Sequence, residues 1–395
     1  MALSATQRAI REAVREFAVE EIRPTLRECD RQERFPENVW DGLAELDLTG
    51  LTTPEAYGGF DADRLTYAVV NEEVAYGSLA VATALSVHCL VTSCIAEFGD
   101  DDLRETWLPE MVDGRPVGAF ALSEPDAGSN PAEMATTATR DGDEWVLDGT
   151  KQWITNGARA GVVVVFAKAD TGTEASPGSD AGTDDSEPSR AHNSVTQFLV
   201  PADADGLTVG EPEDKLGLRA SDTVSLTFDG VRVPDRHRLT EVGRGLGAAL
   251  SILNGGRVGI AAQAVGLAQA ALDEAVAYVG EREQFDRSIG EFQSVRHTLA
   301  EMHTQVQAGR LLTRDAARRL DADEGADARV AASSAKYFAS EAAVDVTGDA
   351  VQLHGGAGYT TAHPVEQFYR DAKVTTIYEG TTQIQKDVVA RHLLD

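Results

Sequence analysis

Apolar positions in the first hundred or so residues recur at helical spacing. Ile10, Val14 and Phe17 mark one face of a helix, and Ser4 followed by Gln7 has the pattern of a capping box. Further helices are predicted over 37–48, ahead of the Gly58-Gly59 break, over 62–87, apolar nearly all round, and over 103–112. The period then falls from 3.6 to 2. Segments 117–122, 134–140, 144–147, 162–168, 195–200 and 224–228 read as strands, with Asp141-Gly142 and Asp148-Gly149 as turn signals. From about Gly243 helical spacing returns, over 245–280, 291–320, 328–354 and a shorter stretch from 381. Helices of about thirty residues suit a four-helix bundle better than an open α/β fold.

The pattern therefore predicts an α+β protein in three units: an N-terminal helical domain (1–116), a middle β domain (117–233) and a C-terminal four-helix bundle (234–395). Segment 170–192 has no large apolar residue and is rich in Asp, Ser, Gly and Thr. It is expected to be a flexible, solvated loop between two strands.

Composition narrows the function classes. Apolar residues make up 42% of the 395, which suits a chain with large cores. No secretory signal or membrane span is read in the sequence, so a cytoplasmic location is expected. Cys29, Cys89 and Cys94 form no CxxC pair and are expected to be reduced thiols, with no metal site. The net charge is −30, from 65 acidic and 35 basic residues. Such a charge argues against nucleic-acid binding, which needs a cationic surface. It also implies self-repulsion that salt would screen, the expectation for a halophile's salt-rich cytoplasm.

Four segments depart from ordinary helix or strand composition. In 121–130, ALSEPDAGSN, Gly128 frees backbone amides beside the hydroxyls of Ser123 and Ser129; this reads equally as a turn or as a cradle for a polar ligand. In 151–157, KQWITNG, Trp153 and Thr155 alternate on one strand face, which suits a flat heteroaromatic ligand or ordinary sheet packing. In 351–359, VQLHGGAGY, clustered glycines permit close backbone approach, to a pyrophosphate or to a neighbouring helix. His354 reads as a satisfied helix-terminal residue. In 375–384, TTIYEGTTQI, Glu379 is the only charge between Val374 and Gln385. A lone carboxylate in such company is desolvated, and its raised pKa suits a base for a weakly acidic C–H.

These segments, in this order, resemble the acyl-CoA dehydrogenase family. The resemblance extends to 215–223 (KLGLRASDT), 254–259 (NGGRVG), 281–285 (EREQF) and 369–381 (YRDAKVTTIYEGT), and covers essentially the whole chain. It implies the same α, β, α domain order, usually in a homotetramer, with FAD between the β domain and the bundle. By resemblance, Leu122, Ser123, Gly128, Ser129, Trp153, Thr155, Thr381 and Gln383 contact the cofactor. Arg282, Phe285, Gln352 and Gly356 would contact the FAD of a neighbouring subunit. Glu379 matches the base of the short- and medium-chain branches, which takes the α-proton while the β-hydride passes to flavin N5. Electrons would leave through an electron-transferring flavoprotein. Ser129, Asn254, Arg257, Tyr378 and Gly380 match positions near the acyl-CoA, Asn254 standing where many members carry Asp. The branched- and long-chain branches place their base near residue 256, which here is Gly256, and no arginine of the glutaryl branch occurs in 79–87. The resemblance thus implies dehydrogenation of a straight-chain, uncharged acyl-CoA, butyryl-like first. An acyl-CoA oxidase and a non-catalytic flavin-binding homologue remain the alternatives.

Overall fold

The computed structural model describes residues 3–170 and 194–394. The N-terminal helices are α1 (Ala5–Phe17), α2 (Leu26–Gln32), α3 (Glu37–Glu45), α4 (Arg64–Gly77), α5 (Leu79–Phe98) and α6 (Asp101–Val112). The Ser4–Gln7 capping box forms in both directions. The stretch predicted as one helix over 62–87 is two. Ser78 takes an extended conformation, ends α4 and caps α5 with its hydroxyl, which turns the chain so that both helices enter the core. The turn needs Gly77, because a Cβ there would stand 2.8 Å from Ile22 Cβ. By length and hydropathy α5 could cross a membrane, but 89% of its apolar window is buried within the protein.

The middle unit is a seven-stranded mixed sheet: β1 (Val117–Ala121), β2 (Thr137–Asp141), β3 (Glu144–Thr155), β4 (Ala160–Asp170), β5 (Val195–Pro201), β6 (Leu207–Val209) and β7 (Thr223–Pro234). β4 carries β5 on one edge and β1, then β2, in parallel on the other. Its run of Val162 to Ala167 is buried on both faces. Val162, Val164 and Phe166 pack toward α5 and α6, while Val163, Val165 and Ala167 meet Trp145, Phe198 and Val231 inside the curled sheet. Asp141-Gly142 makes the predicted hairpin turn, but Asp148-Gly149 does not. There β3 continues through a bulge, where Gly149 takes φ +148° and a Cβ would stand 2.5 Å from Thr136 Oγ1. Apart from Asp170, the acidic segment 170–192 lies outside the described residues.

The C-terminal unit holds α7 (Gly245–Glu281), α8 (Gln293–Asp321), α9 (Gly325–His354), α10 (Val365–Ala372) and α11 (Thr382–Leu394). Between α7 and α8 sits a small hairpin, β8 (Glu283–Gln284) and β9 (Arg287–Ser288), not foreseen from the sequence. The bundle and the N-terminal helices share one apolar core running through α4, α7 and α9. The three cysteines are free and buried.

Candidate active site

Glu379 lies in the short segment between α10 and α11, with φ +54°, followed by Gly380 at +92°. Two consecutive left-handed residues swing the chain sharply, and a non-glycine residue in that region costs roughly 1–2 kcal/mol. The turn is held from behind. Lys336 Nζ on α9 donates to Gly380 O at 2.7 Å, and Gln385 Nε2 on α11 donates to Glu379 O at 3.3 Å and Gly380 O at 3.1 Å. Thr381 Oγ1 accepts from Ile384 N and so caps α11.

The Glu379 side chain faces α7. A Cβ on Gly256 would stand 3.2 Å from its Oε2, so the absence of a side chain at 256 leaves the carboxylate its space. Part of the residue meets the surface, but Oε2 is enclosed and has no hydrogen-bond partner. Burial pushes the carboxyl pKa up from its ordinary value, and the charges of Lys336 and Arg257 pull it partly back. Beside it, Tyr378 OH lies 3.3 Å from Thr83 Oγ1 and donates to Gln263 Oε1 at 3.5 Å. Arg257 Nη1 donates to Asn254 Oδ1 at 2.8 Å, while its Nε is enclosed without a partner. Asn254 thus keeps the grip on Arg257 that a carboxylate would provide.

The β-domain residues form a second group. Trp153 sits at an irregularity of the β3–β7 pairing with φ +59°, and its indole is 54% exposed. Ile154 points inward and Thr155 outward. Ser123 O accepts from Gln152 N at 2.9 Å, which ties the 121–130 loop to that strand. Gly128 and Ser129 are exposed on the loop, and Leu122 packs on the core shared with α5. Beneath them lies a buried ion pair that the sequence reading missed. Lys151 Nζ donates to Glu124 Oε1 at 2.7 Å and to Leu122 O at 3.3 Å. Glu124 also accepts from the amides of Ala135 and Thr136. The strand end reaches the Tyr378–Glu379 segment through α5: Asn156 Nδ2 donates to Ala84 O at 2.9 Å, and Thr83, next to Ala84, touches Tyr378.

A third group stands apart. Arg282 caps the end of α7, Phe285 lies at the tip of the β8–β9 hairpin, and Gln352 and Gly356 lie at the end of α9. Stacked Tyr278 and His354 rings, 4.2 Å apart, join these ends. At about 1.5 Å per helical residue, Arg282 is roughly 40 Å along α7 from Gly256. The structure therefore does not bring these four residues to Glu379 of their own chain. Phe285 is 86% exposed.

The cradle leaves room for a flat cofactor. Gly128 has open space where a Cβ would stand, and the Trp153 face lies free beside it. Comparison with known proteins decides the class. The acyl-CoA dehydrogenase N-terminal, middle and C-terminal domains match residues 4–115, 119–231 and 243–394. The chain belongs to the acyl-CoA dehydrogenase family. It is 42% identical to a probable acyl-CoA dehydrogenase of Mycobacterium tuberculosis, over 98% of this chain and 94% of that one. It is 40% identical to the mitochondrial short-chain specific acyl-CoA dehydrogenase of Bos taurus, over 99% and 91%. The butyryl-CoA dehydrogenase structure from Megasphaera elsdenii superposes with a TM-score of 0.91 at 36% identity, covering 100% of both chains. This acyl-CoA dehydrogenase is an FAD-dependent oxidoreductase.

Proposed function

We propose that this enzyme dehydrogenates a short, unbranched acyl-CoA to the trans-2-enoyl-CoA, with Glu379 removing the α-proton. The observation that carries the reading is the Glu379 carboxylate: enclosed, unpartnered at Oε2 and facing the bare backbone of Gly256. Desolvation makes it a stronger base than an exposed glutamate. Among the described residues the Glu379 amide has no backbone hydrogen-bond partner, so it can donate to the thioester oxygen and stabilise the developing enolate. Bound flavin supplies the hydride acceptor. Leu122, Ser123, Gly128, Ser129, Trp153, Thr155, Thr381 and Gln383 are the residues that would hold it. Ser129, Asn254, Arg257, Tyr378 and Gly380 would line the path of the thioester and its CoA arm.

Short chain length is supported by the neighbours of the base. Tyr378, Thr83 and Gln263 form a closed polar network there, poor company for a long alkyl chain. The butyryl-CoA and short-chain relatives point the same way. Electrons would pass to an electron-transferring flavoprotein. The separation of Phe285 and Gln352 from the base supports a homotetramer in which each FAD is completed by a neighbouring chain.

The test is the visible spectrum of the FAD-loaded protein, taken anaerobically before and after butyryl-CoA. Bleaching of the flavin, with Glu379→Gln slower by about 10²–10⁴-fold, is the expected result. A Glu379→Gln rate within a few-fold of wild type would remove the mechanism. A spectrum unmoved by any straight-chain acyl-CoA would remove the substrate class.

A further inference from the structure

We propose that Lys336 is a positioning residue for the base: its buried ammonium holds the Glu379–Gly380 turn from behind and supplies a positive charge close to the carboxylate. The inference rests on Glu379 being the base. Lys336 is fully buried on the inner face of α9, and its one hydrogen bond is the 2.7 Å contact to Gly380 O. Among the described residues no carboxylate lies within 4 Å of it to form an ordinary ion pair. Lys151, the other fully buried lysine, has one in Glu124.

A neutral amide could hold a carbonyl as well as an ammonium can, without the several kcal/mol that burying a charge costs. The charge therefore needs another use, and the groups around the turn supply one. From α9 come Lys336 and Glu341, the latter accepting from Thr382 Oγ1 at 2.8 Å. From α7 comes Arg257, with Arg329 of α9 beyond it, and from α4 comes Tyr67; Tyr378 is the base's own neighbour. Of these, Lys336 and Arg257 are the cations that act on Glu379, Lys336 more strongly. Arg257 lies on the side of Asn254, where the CoA arm would pass. Lys336 acts from the protein interior, where no substrate group can displace it.

The division of labour follows. Burial makes Glu379 basic, and Lys336 sets the limit, so that the carboxylate is still ionised when substrate arrives. Lys336 is itself drawn down to about 8 by burial. Above that pH it begins to release the base.

The experiment compares wild type, Lys336→Met and Lys336→Gln as full-length, FAD-loaded proteins, checked by thermal melting and flavin content. One readout is the acidic limb of kcat/KM against pH with butyryl-CoA. The other is the pH at which an acyl-CoA analogue with an acidic α-proton and no transferable β-hydride forms its enolate charge-transfer band. Removing a nearby positive charge favours the protonated carboxyl. Both readouts should therefore move to higher pH by roughly one unit or more. Lys336→Gln keeps a donor for Gly380 O and should show the same shift with a smaller loss of melting temperature. Folded variants with the wild-type limb would overturn the proposal. So would a Gln variant that cannot fold, since the ammonium would then be needed for the turn alone. Failure of the underlying reading looks different: wild type itself would lack a limb that Glu379→Gln abolishes.

Discussion

Glu379 and Gly380 together show how much of this site depends on two backbone angles. A methyl group at Gly380 would meet left-handed strain and stand 2.4 Å from Gln385 Nε2, which is buried and already bonded to both carbonyls. Gly380→Ala is expected to lower stability by roughly 1–2 kcal/mol, measured by denaturant unfolding, and to reduce turnover further by tilting the base. A carboxyl whose pKa is raised on folding lowers stability as pH climbs from its unfolded value, near 4.5, through its folded one. Glu379→Gln should therefore melt higher than wild type at neutral pH, and the advantage should vanish below about pH 4. Glu379 stands out in the sequence as the candidate base because it is the only charge between Val374 and Gln385. Lys336 does not. A lysine in the Ala-rich run of α9 reads the same whether it points outward or inward, and only the packing of α9 against the turn reveals which.

Among the elements, β3 departs most from its sequence pattern. Periodicity suggested a strand ending near Leu147, because Asp148-Gly149 has the chemistry of a turn. The glycine instead serves a close approach to Thr136, and the strand runs on to present Trp153. What anchors that extension is the Lys151–Glu124 pair. Lys151→Met would leave Glu124 buried without its counter-charge, a loss of about 3–5 kcal/mol. Chemical unfolding should show this, with flavin lost before the helices melt. The β8–β9 hairpin was missed for a related reason. Its two-residue turn, Phe285-Asp286, has φ +54° and +61°, angles usually signalled by Asn-Gly. α10 offers a pH test. Asp371 accepts from Leu218 N at 2.6 Å, and burial raises its carboxyl to about 7. Stability from this group is highest below its ordinary value, near 4, and declines as pH rises to about 7. Asp371→Asn should stabilise the protein above pH 7 and change little below pH 4, as read from melting temperatures across pH.

For the molecule as a whole, the order α, β, α and the unusual charge were both plain from sequence, since periodicity and composition are sums over many residues. Its acidic groups repel one another on any compact shape. The melting temperature should accordingly rise from about 0.1 M to about 1 M KCl, as the Debye length shrinks from about 10 to about 3 Å. A flat response would remove the halophilic reading. The resemblance assigns Arg282 and Phe285 to a neighbouring subunit's cofactor, and the length of α7 places both far from Glu379 of their own chain.

That distance has a genetic consequence. Suppose one allele carries Glu379→Gln and another carries Phe285→Asp, each inactive by itself. In a mixed pair of the proposed assembly, the chain with the intact glutamate would borrow the intact hairpin of the other, and one complete centre would be restored. The second centre then collects both lesions. With random pairing, about a quarter of all centres would work, so two null alleles expressed together should complement each other, while either alone fails.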